Sequence, residues 1–132
     1  MILVDTSAWI ELLRKHGDAK VKTHVARYLS VEEAAFTCPV RFELLAGAKD
    51  AERGDVEQAL AFGHHLPFTQ AMWMRAADVE RSLRGRGVVV PRDDIFVATV
   101  ALEHRVGILC KDRHFDLMRD RGRLPLRLEQ FA

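Results

Sequence analysis

The sequence predicts a three-layer α/β fold, with a mainly parallel central sheet of four or five strands flanked by helices. Two short apolar runs rich in β-branched residues, Met1–Val4 and Val106–Cys110, read as strands buried on both faces. Between them lie helical stretches whose apolar residues recur every three or four positions, the crossovers that parallel strands require. Each strand run also leads into an acid, Asp5 after the first and Asp112, one residue on, after the second.

The elements follow in order. After Met1–Val4, Thr6 or Ser7 is a natural N-cap for a helix carrying Trp9, Ile10, Leu12 and Leu13, ended by Gly17. A second helix covers about Ala19–Leu29, with Val21, Val25 and Leu29 on one face. Ala35–Cys38 reads as a brief strand stopped by Pro39, which opens a helix through Phe42, Leu44 and Leu45 that Gly47 can end. Glu52 to about Gly63 is helical in pattern, and His65–Thr69 is a short strand or extended connector. Met72, Ala76, Val79 and Leu83 mark a strong helix over Gln70–Leu83, followed by a loop at Arg84–Gly87. Pro91 opens the helix Arg92–His104, apolar on almost every face and so central. Past the strand at Val106–Cys110 come a short helix around Phe115–Met118 and an extended piece, Leu124–Leu128. There is no linker or internal repeat, so residues 1–132 read as a single domain.

Composition narrows the function classes. At 48% hydrophobic and 30% charged residues, the chain is neither disordered nor fibrous. A formal net charge of +1 gives no bulk attraction to nucleic acid, so binding to it requires a local patch. The apolar opening meets Asp5 too soon to form a signal-peptide core, and no run approaches a membrane span. Cys38 and Cys110 are far apart and lack metal-binding spacing; unpaired thiols fit a reducing, cytoplasmic setting.

The chemistry lies in the carboxylates. In open parallel sheets ligands bind beyond the carboxyl ends of the strands, where Asp5 and Asp112 stand. Glu43 interrupts an apolar helix, and Asp94 lies in the first turn of the central one. Each has a structural explanation by itself: an N-cap, a solvent-facing Glu, or a favourable charge at a helix N-terminus, for which Asp93 competes. Together they are compatible with convergence at one sheet edge. Close carboxylates repel unless a cation joins them, and hydrated Mg²⁺ or Mn²⁺ is the hard ion that oxygen donors select. Such an ion orients water and stabilises charge on a phosphate, which points to phosphodiester hydrolysis.

Four blocks, Ile2-Leu-Val-Asp5-Thr-Ser-Ala-Trp-Ile10, Phe42-Glu43-Leu-Leu-Ala-Gly47, Asp94-Ile-Phe-Val-Ala98-Thr99 and Leu109-Cys-Lys-Asp112-Arg-His-Phe115, resemble the PIN-domain nucleases. The likeness is greatest to the VapC toxins of toxin–antitoxin pairs, and it runs in order over almost the whole chain. The resemblance implies an acidic quartet of Asp5, Glu43, Asp94 and Asp112. Asp5, Asp94 and Asp112 would hold Mg²⁺ (with Mn²⁺ able to substitute), and Glu43 would position metal or attacking water. It selects Asp94 over Asp93, because a small residue, Ala98, follows Asp94 by four. It assigns Ser7 or Thr6 to steady Asp5. Many relatives have a further acid two residues after the position of Asp112; here that residue is His114, and Asp116 is the substitute at hand. The resemblance further implies an RNA substrate, a VapB-type antitoxin whose C-terminal segment fills a groove beside the site, and a homodimer. Arg84, Arg86 and Arg92, near the Asp94 helix, are candidates for RNA phosphate contacts, or else part of a solvated charged loop.

Other readings fit less well. A receiver-like signalling domain would place an acidic pair after the first strand, but Asp5 is followed by Thr6-Ser7. A phosphatase of the Asp-x-Asp type fails at Ser7. A PIN fold that binds RNA without cutting it is disfavoured by the intact quartet.

Overall fold

The computed structural model describes residues 1–131. Its elements are β1 (Ile2–Val4), α1 (Thr6–Leu13), α2 (Ala19–Ser30), β2 (Ala34–Thr37), α3 (Cys38–Gly47), a 3₁₀ turn (Asp50–Glu52) and α4 (Arg53–Ala61). Then follow β3 (His64–Leu66), α5 (Gln70–Gly85), α6 (Arg92–His104), β4 (Gly107–Cys110), α7 (His114–Asp120) and β5 (Leu128–Gln130). The five strands form one sheet in the order β3-β2-β1-β4-β5, and every neighbouring pair is parallel. With helices flanking the sheet, this is the expected three-layer α/β architecture.

Burial explains the order. Ile2, Leu3 and Val4 are all buried, as a central strand covered on both faces requires. β2 and β4 flank β1; β2 is buried throughout and β4 everywhere but at Gly107. The sheet edges are β3, with exposed His64 and His65, and the half-buried β5; short polar edges discourage pairing with another chain. Parallel register aligns the carboxyl ends of β1 and β4, with Val4 opposite Leu109, so the residues that follow emerge at one edge.

Several boundaries differ from the sequence reading, each for a local reason. The N-cap of α1 is Asp5, not Thr6 or Ser7: the extended backbone of β1 runs through Asp5, whose carboxylate accepts from the Ser7 N–H. α3 begins one residue before Pro39, so Cys38 belongs to the helix rather than to β2. The stretch from Glu52 is split into a 3₁₀ turn and α4. α5 runs on through Gly85, placing Arg84 on the helix, where it pairs with Glu80 one turn back. The left-handed stop comes at Gly87, φ +74°, which a glycine adopts without strain. β3 starts at His64, and α7 extends over His114–Asp120. Strand pairing at the C-terminus lies at Leu128–Gln130 rather than Leu124–Leu128, because Ile108–Cys110 are the residues whose backbone faces that edge.

α6 is central, as its composition suggests, with Ile95, Val97, Ala98, Val100 and Ala101 all buried. The buried hydroxyl of Thr99 donates to the Ile95 carbonyl one turn back, so no polar atom of that side chain is left unpaired. No described helix is long and apolar enough to cross a membrane.

Candidate active site

Asp5 leaves the end of β1 and is only 2% exposed. One of its oxygens, Oδ2, accepts from the Ser7 N–H at 3.1 Å and from the Ser7 hydroxyl at 2.7 Å. The Ser7 Oγ in turn accepts from the Lys111 backbone N–H at 3.0 Å. Ser7 therefore ties the start of α1 to the segment after β4 and holds Asp5 and Asp112 in a common frame. Thr6 does something else: its hydroxyl donates to Glu43 Oε1 at 2.8 Å, bringing α3 to the same edge.

Asp94 enters from the first turn of α6, and Asp112 from the turn after β4. Between them stands His114: its Nδ1 is 2.7 Å from Asp94 Oδ2 and 2.7 Å from Asp112 Oδ1. The His114 backbone N–H also donates to Asp112 Oδ1, at 2.9 Å, and Gln130 of β5 holds the Asp112 carbonyl at 2.7 Å. One donor atom from each of Asp94, Asp112 and His114 lies within 4.8 Å of the others, the spacing of groups able to share one ion. Asp5 is near enough to Asp94 for its charge to raise the Asp94 carboxyl, and Asp112 is near enough to raise that of Asp5.

The electrostatics have a consistent sign. Burial above all raises the Asp5 carboxyl from its ordinary range, with Asp112 adding to the effect and the Ser7 bonds opposing it. Asp94 is pushed up to about 7, first by burial and then by the charges of Asp5 and Asp112, against the pull of His114. Glu43 is also raised, by burial first and further by the neighbouring Asp93 and Asp5. Carboxylates that resist ionisation where no cation neutralises them form an electrostatically incomplete site. Hard oxygen donors with one imidazole nitrogen suit a divalent ion that keeps part of its water shell.

This predicts a pH dependence. Without divalent ions, native Asp94 keeps its proton between about pH 4 and about pH 7, where the unfolded chain has lost it. The native state then binds more protons than the unfolded one, so stability falls as pH rises through that window. Thermal unfolding in EDTA should show the decline, and Asp94→Asn should flatten it. An added divalent ion should stabilise more at pH 8 than at pH 5, since protons compete for its ligands.

The remaining sequence candidates lie apart from the donor group. Asp116 pairs with Arg113 at 3.0 Å and Arg119 at 3.4 Å, and His114 takes the place beside Asp112 that Asp116 was expected to fill. Arg84 and Arg92 both pair with Glu80, so α5 and the start of α6 share one acid. Arg86 has no ion-pair partner among the described residues. Two residues take parts that the sequence reading does not assign to them. Asp93 is exposed but close enough to raise the proton affinity of Glu43. Glu11, 5% exposed, accepts from the Asp18 N–H at 2.8 Å and pairs with Lys111 at 3.2 Å, anchoring the residue before Asp112. An acid inside the apolar run Ser7–Leu13 was the available signal for Glu11; nothing local indicated Lys111 as its partner.

Comparison with known proteins gives the family and the fold. Residues 2–120 match the PIN domain family. Ribonuclease VapC11 of Mycobacterium tuberculosis is 35% identical over 123 residues, covering 89% of this chain and 91% of that protein. Among solved structures, VapBC2 of Rickettsia felis bound to a promoter DNA fragment superposes with a TM-score of 0.79 at 16% identity, over all of both chains. DNA-bound VapBC of Salmonella typhimurium gives 0.78 at 17% identity, again over all of both chains. The structural likenesses establish the fold, and the family match and the 35% relative carry the descent: the chain belongs to the PIN-domain family.

Proposed function

We propose that the protein is a divalent-metal-dependent endoribonuclease of the VapC type, the toxin of a toxin–antitoxin pair. The observation that carries the mechanism is the meeting of Asp94, Asp112 and His114 in one donor group beside buried Asp5, with the carboxyls of Asp5 and Asp94 raised by burial and by their acidic neighbours, in a chain related to VapC ribonucleases. Asp5, Asp94 and Asp112 would hold Mg²⁺ or Mn²⁺. A bound ion of that kind lowers the pKa of water and neutralises charge developing on a phosphate. The chain's own groups do the rest. Ser7 fixes the orientation of the Asp5 carboxylate. Thr6 fixes one oxygen of Glu43, a carboxyl raised by burial that would take a proton from attacking water. Arg86, with no ion-pair partner among the described residues, is the arginine before α6 whose charge is left for an RNA phosphate.

The partners follow from the relatives and from two surfaces. Solved relatives are VapBC complexes. A groove of about 310 Å³ is lined by apolar Ile10, Leu13, Leu44 and Val56 and by three acids, Glu43, Glu52 and Asp55, against one base, Arg14. That lining suits an amphipathic basic segment of a VapB-type antitoxin. The edge-to-face aromatic cluster of Phe68, Trp73 and Phe96, with Trp73 55% exposed, supports a homodimer contact. All of this reads as cytoplasmic work, where RNA and a reducing medium are both present.

The test is cleavage of tRNA, ribosomal RNA and messenger by purified protein. Cleavage with Mn²⁺ or Mg²⁺ should cease in EDTA and return when the ion is restored. RNA cleavage indifferent to EDTA would overturn the metal mechanism.

A further inference from the structure

We propose that His114 is itself a ligand of the site's divalent ion, through Nδ1, and that this nitrogen moves the ion preference away from Mg²⁺ toward Mn²⁺ and the later first-row ions. The inference rests on the metal site proposed above and deepens it by naming the ion. Three features of the structure carry it.

The first is spacing. Donors adjacent around an octahedral ion with ligands at about 2.1 Å lie about 3 Å apart. Nδ1 of His114 is 2.7 Å from one oxygen of Asp94 and 2.7 Å from one of Asp112, so a shift of a few tenths of an ångström converts these contacts into coordination edges. The second is saturation. A single Nδ1–H cannot make two full hydrogen bonds to two carboxylates, whereas a cation among the three satisfies all their lone pairs at once. The third is restraint. The backbone N–H of His114 is bonded to Asp112 Oδ1, and the Asp112 carbonyl to Gln130, so ring and carboxylate are positioned as one unit from the start of α7.

The chemistry of the substitution sets the direction. An imidazole where an acid could stand removes one negative charge from the site, and Mg²⁺, which depends on hard oxygen donors and charge, loses most by that change. Manganese accepts carboxylates and tolerates nitrogen, and affinity for nitrogen-bearing sites rises further along the first row. The structure thus assigns to one residue, His114, the selection between ions that Asp5, Asp94 and Asp112 alone would leave to oxygen chemistry.

The experiment measures binding rather than turnover. Mn²⁺ and Mg²⁺ affinities are determined by titration calorimetry for the wild type, His114→Asp, His114→Gln, Asp5→Asn and Asp94→Asn, with circular dichroism as a check on folding. Mn²⁺-loaded samples are examined by electron spin-echo spectroscopy for coupling to a directly bound ¹⁴N. The wild type should show that coupling and prefer Mn²⁺. His114→Gln should weaken Mn²⁺ by at least about tenfold, the scale seen for losing even an outer-shell partner of a metal ligand. His114→Asp should lose the coupling and narrow the Mn²⁺:Mg²⁺ ratio by tightening Mg²⁺. An unchanged ratio in His114→Asp, or bound Mn²⁺ without nitrogen coupling, would overturn the assignment of His114. If Asp5→Asn and Asp94→Asn still abolish binding in that case, the carboxylate site stands and only this inference falls. Failure of the folded wild type to bind either ion would overturn both.

Discussion

Asp5→Asn is expected to reduce RNA cleavage by at least about 10³-fold in kcat/KM while leaving the metal-free protein as stable as the wild type or more so. Removing a metal-holding carboxylate forfeits several kcal/mol of charge stabilisation in the transition state, and each 1.36 kcal/mol is a factor of ten. Asn is as good an N-cap as Asp, so the Ser7 contact that starts α1 can persist. Ala at the same position would lose the cap as well, at about 1 kcal/mol, and confuse stability with chemistry. The charge of Asp5 raises the proton affinity of Asp94, so an uncharged residue relieves repulsion in the absence of the ion. Loss of activity without loss of melting temperature in EDTA is the expected signature of a group kept for function against stability. Activity within tenfold of the wild type would show that Asp5 is only a helix cap.

Trp9→Ala should be the most damaging single change to the fold. Trp9 is fully buried, and its backbone N–H closes the first turn of α1 on the Asp5 carbonyl at 3.1 Å. Deleting a buried indole costs about 3–5 kcal/mol, against a total stability of about 5–15 kcal/mol for a domain. For a chain of this size that corresponds to a fall of roughly 10–20 °C in Tm. The indole Nε1 has no hydrogen-bond partner, a burial that carries its own penalty. Trp9→Phe removes that atom and keeps much of the ring, so it should lose far less than Trp9→Ala. Thermal unfolding of the two variants measures the difference, and equal losses would mean that the aromatic ring retained by Phe contributes nothing.

Local signals made most of the fold legible. The strands around Leu3 and Leu109 and the helix Arg92–His104 are encoded in short windows of apolar periodicity, and those windows were read nearly to the residue. Boundaries failed where a single side chain decides. Asp5 rather than Ser7 caps α1 because the strand carries extended backbone one residue further than hydropathy indicates. α5 outlasts the expected end at Leu83 by two residues, with Arg84 paired to Glu80 one turn back, and stops before Gly87 supplies a positive φ. β3 is polar and exposed, so its pattern resembles that of a connector; pairing of His64 with Ala35 makes it a strand.

The candidate site divides in the same way. By itself the sequence determined the α/β class, the succession of strands and crossovers along the chain, three acids at element ends and a fourth, Glu43, inside an apolar helix, because propensity, periodicity and capping act within a few residues. Only the tertiary structure decided what those acids face. Thr6 reaches Glu43 across 37 positions, Lys111 reaches Ser7 across 104, and His114 reaches Asp94 across 20. Such contacts depend on sheet register and on how far α6 leans over β4, and neither quantity has a signature in a local window. Register aligns Val4 with Leu109, burial then raises the proton affinities of Asp5 and Asp94, and a row of separate acids becomes a cluster that calls for a cation.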